Sequence, residues 1–491
     1  MGERLRILLA HSYFLAYDAK QTRKMRPYPP LATLITASVL RARGHDVHLF
    51  DAMLAKGESE FARSLEEHAP DAVGLLEDNF NFLTKMCTTR MRDAALAMVA
   101  AAKARGCRVA ANGSDVSDHP ELFLGAGADA VVLGETERTF PELVEAWARS
   151  EASLAGIAGI AGLALPAAGG LVHRTPTRPF VEDLDGLPLP AWDLVDVARY
   201  RAAWLKAHGR LSWNVVTTRG CPFHCNWCAK PLYGTRYAQR SPAAVAAELA
   251  ALKKAVRPGH VWFADDIFGL TPRWIESFAE EVAARNARIP FTMQSRVDLM
   301  TPSAVAALAD AGAEEVWMGV ESGAQKVLDA MEKGTRLEQV RRATRLLRAS
   351  GVAPSWFLQL GYPGESWDDL VATRDLLRQE RPHDIGVSVS YPLPGTTFYE
   401  KVREQLRTQT NWSDSDELAM LFEGTYTGPF YRTVRDLLHA EALVLAGRPG
   451  PMIGPEIEEA WQDLRRREPE FRTERSILPG ATLPRAATGA C

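Results

Sequence analysis

Three cysteines within one short run constrain this chain more than any other feature. Cys221, Cys225 and Cys228 stand in Thr217-Thr218-Arg219-Gly220-Cys221-Pro222-Phe223-His224-Cys225-Asn226-Trp227-Cys228, with three and then two residues between them. A loop of this length presents three thiolates to a single metal centre. Its natural occupant is a cubane iron-sulfur cluster whose fourth iron stays open for a substrate. A structural zinc site needs a fourth ligand, yet the next cysteine along the chain is Cys491, the last residue, and His224 between two of the cysteines is a poor substitute. Disulfides require an oxidising compartment, and six cysteines in 491 residues fall far below a disulfide scaffold. Cys87 and Cys107 read as small apolar residues.

A chain of 491 residues exceeds one ordinary core and predicts two or three domains. The formal net charge of −4 supplies no basic field, and no basic patch interleaved with aromatics occurs, so nucleic acid is not indicated as a partner. The opening Met1-Gly2-Glu3-Arg4-Leu5-Arg6-Ile7-Leu8-Leu9-Ala10 is too short an apolar run for a signal segment or a membrane span. The expected location is therefore the cytoplasm, where thiols stay reduced.

Residues 1–150 alternate short apolar runs with helical patterns, which predicts βαβ units and a parallel, doubly wound sheet. Candidate strands are Arg6 to Ala10, Asp46 to Phe50, Ala72 to Leu76, Arg108 to Ala111 and Ala130 to Leu133. The stretch Leu31 to Arg43 reads as a helix ending at Gly44. Ligands of such sheets sit beyond the carboxyl ends of the strands, which directs attention to loops starting at His11, Glu77, Asn112 and Gly134. Residues 151–210, rich in small residues and then in proline, read as a connector, with Trp192 as a packing anchor. From residue 211 to 397 the alternation returns with six strands, near Asn214 to Thr217, Val261 to Ala264, Phe291 to Gln294, Glu315 to Val320, Ser355 to Leu360 and Gly386 to Ser390. Six repeats predict a partial (β/α)6 barrel with its working residues at the carboxyl ends. Residues 398–491 form a C-terminal, mainly helical region and tail.

Two family resemblances attach to these segments. Tyr28-Pro29-Pro30-Leu31-Ala32-Thr33-Leu34, the run Leu40 to Val47, Asp51-Ala52, and Gly125 to Glu137 resemble the cobalamin-binding domain that precedes many radical S-adenosylmethionine (SAM) domains. With the strand-end rule, that resemblance implies cobalamin contacts at His11, Glu77, Asp78, Asn79, Gly113, Ser114, Gly134 and Glu135. An Asp-x-His-x-x-Gly motif is absent after the first strand, where the chain reads His11-Ser12-Tyr13-Phe14-Leu15-Ala16-Tyr17-Asp18, so no protein histidine is expected on cobalt. The cysteine spacing, with an aromatic residue before the third cysteine, resembles the cluster loop of the radical SAM superfamily. This implies a [4Fe-4S] cluster on Cys221, Cys225 and Cys228 and a low-potential electron donor such as flavodoxin or ferredoxin.

The same resemblance runs on through the barrel. It implies Trp227 near the adenine, Asp265 or Asp266 on the methionyl ammonium, Gln294 and Arg296 at the third strand end, Glu321 on the ribose hydroxyls and Tyr362 in the adenine-side turn. The chemistry of these side chains agrees: carboxylates accept from an ammonium or from two neighbouring hydroxyls, and a guanidinium pairs with a carboxylate. Tyr391-Pro392-Leu393-Pro394-Gly395-Thr396 extends the likeness to the cobalamin-binding subgroup. Asn411 to Leu418, Phe422 to Tyr426 and a helix from Pro429 to Leu445 bear a patchy similarity to the anaerobic magnesium-protoporphyrin IX monomethyl ester cyclase group.

The resulting expectation is a cobalamin-dependent radical SAM enzyme acting on a small molecule, with C-methylation by methylcobalamin as the leading chemistry. Alternatives are an oxidative cyclase on a tetrapyrrole-like substrate, a cobalamin-free radical SAM enzyme, and a non-catalytic corrinoid and redox sensor. The substrate is not named by any residue pattern.

Overall fold

The computed structural model of the chain describes residues 3–78, 80, 88–149, 154–228, 236–406, 411–415 and 417–473. Asn79, Cys87 and Cys491 lie outside the described residues. The first sheet contains β1 (Arg6–Ala10), β2 (Asp46–Phe50), β3 (Ala72–Leu76), β4 (Arg108–Asn112), β5 (Ala130–Val132), β6 (Leu163–Pro166) and β7 (Val172–Arg174) in the order β2-β1-β3-β4-β5-β6-β7. The first five strands are parallel, and β6 and β7 add antiparallel. Successive side chains of a strand point to opposite faces. Ile7 and Leu9 accordingly pack in one layer while Leu8 and Ala10 pack in the other. Burial on both faces explains why these strands read as unbroken apolar runs.

The segment expected to be only a connector is corrected here: β6 and β7 complete the first sheet, and a helix at Val197–His208 fills the seam to the next domain. Leu163-Ala164-Leu165 is fully buried but too short, amid small residues, to show a period.

The second sheet holds β8 (Ser212–Val215), followed after a two-stranded ribbon of β9 (Thr218–Arg219) and β10 (Ala238–Gln239) by β11 (His260–Phe263), β12 (Phe291–Ser295), β13 (Ala313–Glu321), β14 (Ala353–Leu360) and β15 (Asp384–Val389). The order β15-β14-β13-β12-β11-β8 is parallel throughout, with β8 and β15 as its two ends. Helices begin with prepared termini: Ser241, Thr271 and Thr301 each accept a backbone N–H of the first turn, and proline follows each.

The two sheets meet at their carboxyl ends. Leu31, Ile35 and Phe80 of the first domain pack with Val216 and Ala264 of the second. The Pro27–Pro30 segment docks on the end strand β8 and the Val197–His208 helix: Asn214 Nδ2 donates to Pro29 O at 2.9 Å, Trp204 Nε1 donates to Pro27 O at 2.7 Å, and Tyr28 Oη lies 3.0 Å from Ser212 Oγ. The C-terminal helices Gly428–Leu445 and Gly454–Arg467 pack beside the barrel, where Arg374 pairs with Glu441 at 2.8 Å and Glu458 at 2.7 Å and covers the Trp461 ring. Between barrel and helices, residues 411–415 reach back to the first domain. Thr89 N donates to Trp412 O at 2.8 Å, and Ser415 Oγ donates to Asp18 Oδ1 at 2.9 Å. Among the described residues no helix is long and apolar enough to cross a membrane.

Candidate functional site

The cysteine loop leaves β9 at the barrel's carboxyl edge, and side chains from the following strand ends hold it. Asp265, after β11, is buried and accepts from Thr217 N at 2.7 Å, Thr218 N at 2.7 Å and Thr217 Oγ1 at 2.8 Å. Burial pushes its carboxyl up to about 7 despite those donors. The carboxylate expected to meet an ammonium therefore anchors the strand that feeds the loop, and Asp266 is the half-buried member of the pair. Gln294 Nε2 donates to Asp265 O at 2.6 Å and ties β12 to the same turn.

Arg296 likewise turns to the loop: Nε donates to Asp298 Oδ1 at 2.9 Å, Nη2 to Lys333 O at 2.9 Å, and Nη1 lies 3.7 Å from Cys225 Sγ. Its guanidinium sits 3.8 Å from the centre of the Phe223 ring. Tyr362 Oη donates to Asn226 Oδ1 at 3.0 Å, while Asn226 N donates to Met331 O at 3.1 Å and the amide of Phe398 donates to Asn226 O at 2.8 Å. The side chains expected at the adenine side thus fix Asn226 between the second and third cysteines. Trp227 packs beside the cluster of Tyr362, Phe398 and Met331, and its indole Nε1 is buried without a partner among the described residues. An orphaned donor in that position suits an acceptor brought by a ligand.

Glu321 ends β13 with φ +64°, a left-handed conformation that a non-glycine residue adopts at a cost. It accepts from Lys333 Nζ at 2.7 Å, and both side chains are buried. A Cβ added at Gly319 would lie 2.5 Å from both Glu321 Oε1 and Lys333 Nζ, so glycine there makes the pair possible. Burial opposes the Lys333 ammonium, but Glu321 and the sulfur of Cys225 outweigh it and hold its pKa above the usual lysine value. Lys333 was invisible to motif reading, because it lies after a helix and not at a strand end; the nearest signal was the glycine at Gly319.

The thiols fit the group the spacing suggests. Cys221 is buried, and Cys225 and Cys228 are half-buried. Among the described residues no three His, Cys, Asp or Glu side chains converge on a point that would hold one metal ion. A cubane does not require that, since its three thiolates sit on different irons, and the cations beside Cys225 suit a thiolate.

At the first sheet's carboxyl edge the expected contacts are distributed otherwise. His11 is buried, its Nε2 lying 2.9 Å from Asp51 Oδ1 and 3.1 Å from Ala52 N, while Tyr200 Oη donates to Asp51 Oδ2 at 2.7 Å. Burial works against the charged imidazole, and Asp51, with Glu77 and Asp78 beyond, raises its pKa nonetheless. Glu77 accepts from Ser12 N at 2.8 Å and packs on Gly113, where an added Cβ would approach its Cγ to 2.9 Å. Asp78 accepts from Ala32 N at 3.2 Å and so caps the helix Leu31–Ala42; burial moves its carboxyl up to about 6.

Gly134 has φ +77°, a left-handed turn that glycine adopts freely. Glu135 accepts from Arg219 Nη1 at 2.5 Å and from Val181 N at 2.5 Å, and Arg219 Nη2 donates to Glu137 Oε1 at 2.6 Å. This buried three-charge bridge joins the last loop of the first sheet to the residue two before Cys221. Beside it lies a cavity of about 520 Å³ lined by Glu135, Phe180, Glu182, Arg219, Arg236 and Gln239. Ser114 Oγ and His11 Nδ1 are buried on this edge with no partner among the described residues.

Comparison with known proteins agrees with this geometry. Residues 26–144 match the B12 binding domain family, and residues 215–377 match the radical SAM superfamily. An uncharacterised methyltransferase of Pyrococcus horikoshii is 28% identical, the match covering 78% of this chain and 81% of the relative. The anaerobic magnesium-protoporphyrin IX monomethyl ester cyclase of Rubrivivax gelatinosus is 27% identical over 57% of this chain and 50% of its own length. The solved structure of TsrM from Kitasatospora setae, a radical S-adenosylmethionine methyltransferase with cobalamin and a [4Fe-4S] cluster bound, superposes with a TM-score of 0.66 at 20% identity. That superposition covers 82% of this chain and 75% of TsrM, a likeness of fold.

Proposed function

We propose that this chain, a radical SAM enzyme in which a B12-binding domain precedes the radical SAM domain, is a cobalamin-dependent methyltransferase acting on a small molecule. The observation that carries the reading is the Arg219 bridge. It fastens the cysteine loop of one domain to the last ligand-edge loop of the other, so that two cofactors held there would face a shared space. Relatives named as methyltransferases support the choice of chemistry. When bound, the cluster supplies the electron that cleaves SAM, and cobalamin supplies a transferable methyl group.

The chain's own residues then have defined tasks. Cys221, Cys225 and Cys228 donate three thiolates. Asp266 would accept from the methionyl ammonium, and Glu321, paired with Lys333, would accept from the ribose hydroxyls. Trp227 offers its ring and its unpartnered Nε1 on the adenine side. Gly113 and Gly134 let backbone approach the corrinoid, and Ser114 offers a hydroxyl. His11, its Nε2 engaged with Asp51, would help shape the strand end at which the corrinoid would bind. A low-potential flavodoxin or ferredoxin delivers the electron.

The test is anaerobic reconstitution with hydroxocobalamin, SAM and a reductant, read by absorbance, EPR and product analysis. A four-iron signal, bound corrinoid without nitrogen superhyperfine structure, and 5′-deoxyadenosine support the reading. Cluster and 5′-deoxyadenosine without bound corrinoid would replace it with a cobalamin-free enzyme.

A further inference from the structure

Arg296 is the most completely engaged cation near the cysteines. Four N–H contacts are made: Nε and Nη2 grip Asp298 at 2.9 and 3.2 Å, Nη2 also donates to Lys333 O at 2.9 Å, and Nη1 lies 3.7 Å from Cys225 Sγ. Phe223, from the cysteine loop itself, covers the guanidinium face at 3.8 Å. The residue is buried, so these contacts act in a medium that screens poorly. Lys333 is a second cation whose charge is felt at Cys225, and Glu321 balances it as Asp298 balances that of Arg296.

We infer that Arg296 is a positioning residue for the cysteine loop whose hydrogen bond to Cys225, opposed by Asp298, sets the reduction potential of a cluster bound there. This rests on the cluster reading above. A donor and a positive charge beside a ligating sulfur stabilise the reduced, more negative cluster and raise its potential, and a carboxylate lowers it. The two partners must therefore act with opposite sign. A role in packing alone would not produce that, because loosening the loop from either side changes solvent access in the same sense.

The test is an EPR-monitored redox titration of the anaerobically reconstituted full chain, without substrate, with iron and sulfide counted for each variant. Arg296→Gln should shift the potential to more negative values, Asp298→Asn to more positive values, and Arg296→Lys should fall between Arg296→Gln and the parent. Equal potentials, or shifts of the same sign in Arg296→Gln and Asp298→Asn, would overturn the inference. Where Arg296→Gln assembles too little iron to titrate, the sign of the Asp298→Asn shift decides. A parent chain that assembles no cluster would overturn both this inference and the function it rests on, whereas a normal cluster with an unmoved potential would overturn this inference alone.

Discussion

At the barrel's carboxyl edge Arg296 and Asp265 reach toward one loop and its stem, whereas at the first sheet's edge Glu77 and Asp78 turn back onto their own backbone. Arg296 contacts Cys225, Asp265 holds the stem at Thr217 and Thr218, and Asn226 within the loop donates to Ala330 O. Glu77 and Asp78 instead hold Ser12 and the start of a helix. The difference separates two ways of binding. A cluster is held by covalent donors whose surroundings must be fixed by polar contacts, whereas on the proposed reading a large flat cofactor would be met by backbone at the first sheet's edge.

The strongest break of the contrast is Cys225→Ala. Cluster assembly and SAM cleavage should be lost entirely while corrinoid binding to the first domain persists; iron content and corrinoid absorbance measure both, and retained cleavage would refute the assignment. Next is Arg219→Gln, which leaves Glu135 and Glu137 buried and uncompensated. A loss of about 3–5 kcal/mol is expected in denaturant unfolding. Glu321→Gln should weaken SAM binding by about 10-fold, from the loss of charged hydrogen bonds to hydroxyls, with iron content unchanged; equal affinity by calorimetry would remove the ribose role.

A smaller effect appears in the pH dependence. Burial raises Asp265 from 3.8 to about 7, so the folded chain holds that proton more tightly than the unfolded chain. The contribution of this group to stability is therefore full below about 4 and is lost as pH rises toward 7, a loss shared with Asp78, whose folded value is about 6. Asp265→Asn should flatten that slope, and an unaltered profile of melting temperature against pH would contradict the assignment. The mildest change, Ser114→Ala, should weaken corrinoid binding by a few-fold, about one hydrogen bond's worth, and leave the melting temperature in place.

Strand positions were readable because the first five strands of the first sheet and all six of the second run parallel and are largely buried, which writes most of them as apolar runs. β6 escaped because three apolar residues among alanines and glycines carry no period. In the site, the cysteines were legible from spacing, since the loop is local in sequence. Lys333 and Arg219 were not, because each is defined by a partner distant along the chain, Glu321 and the Glu135–Glu137 pair, and by burial that one-dimensional spacing does not encode. Asp265 shows the converse: its type and place invited a ligand role, while its geometry commits it to Thr217 and Thr218.

The contacts of Trp412 and Ser415 with Thr89 and Asp18 join positions 323 and 397 residues apart. During synthesis, which runs from the amino end, the first domain and most of the barrel emerge before this stitch can form. Both sheets can thus form before this tie fastens them, and a few hydrogen bonds made by a segment that follows the barrel strands hold the two halves together on that side.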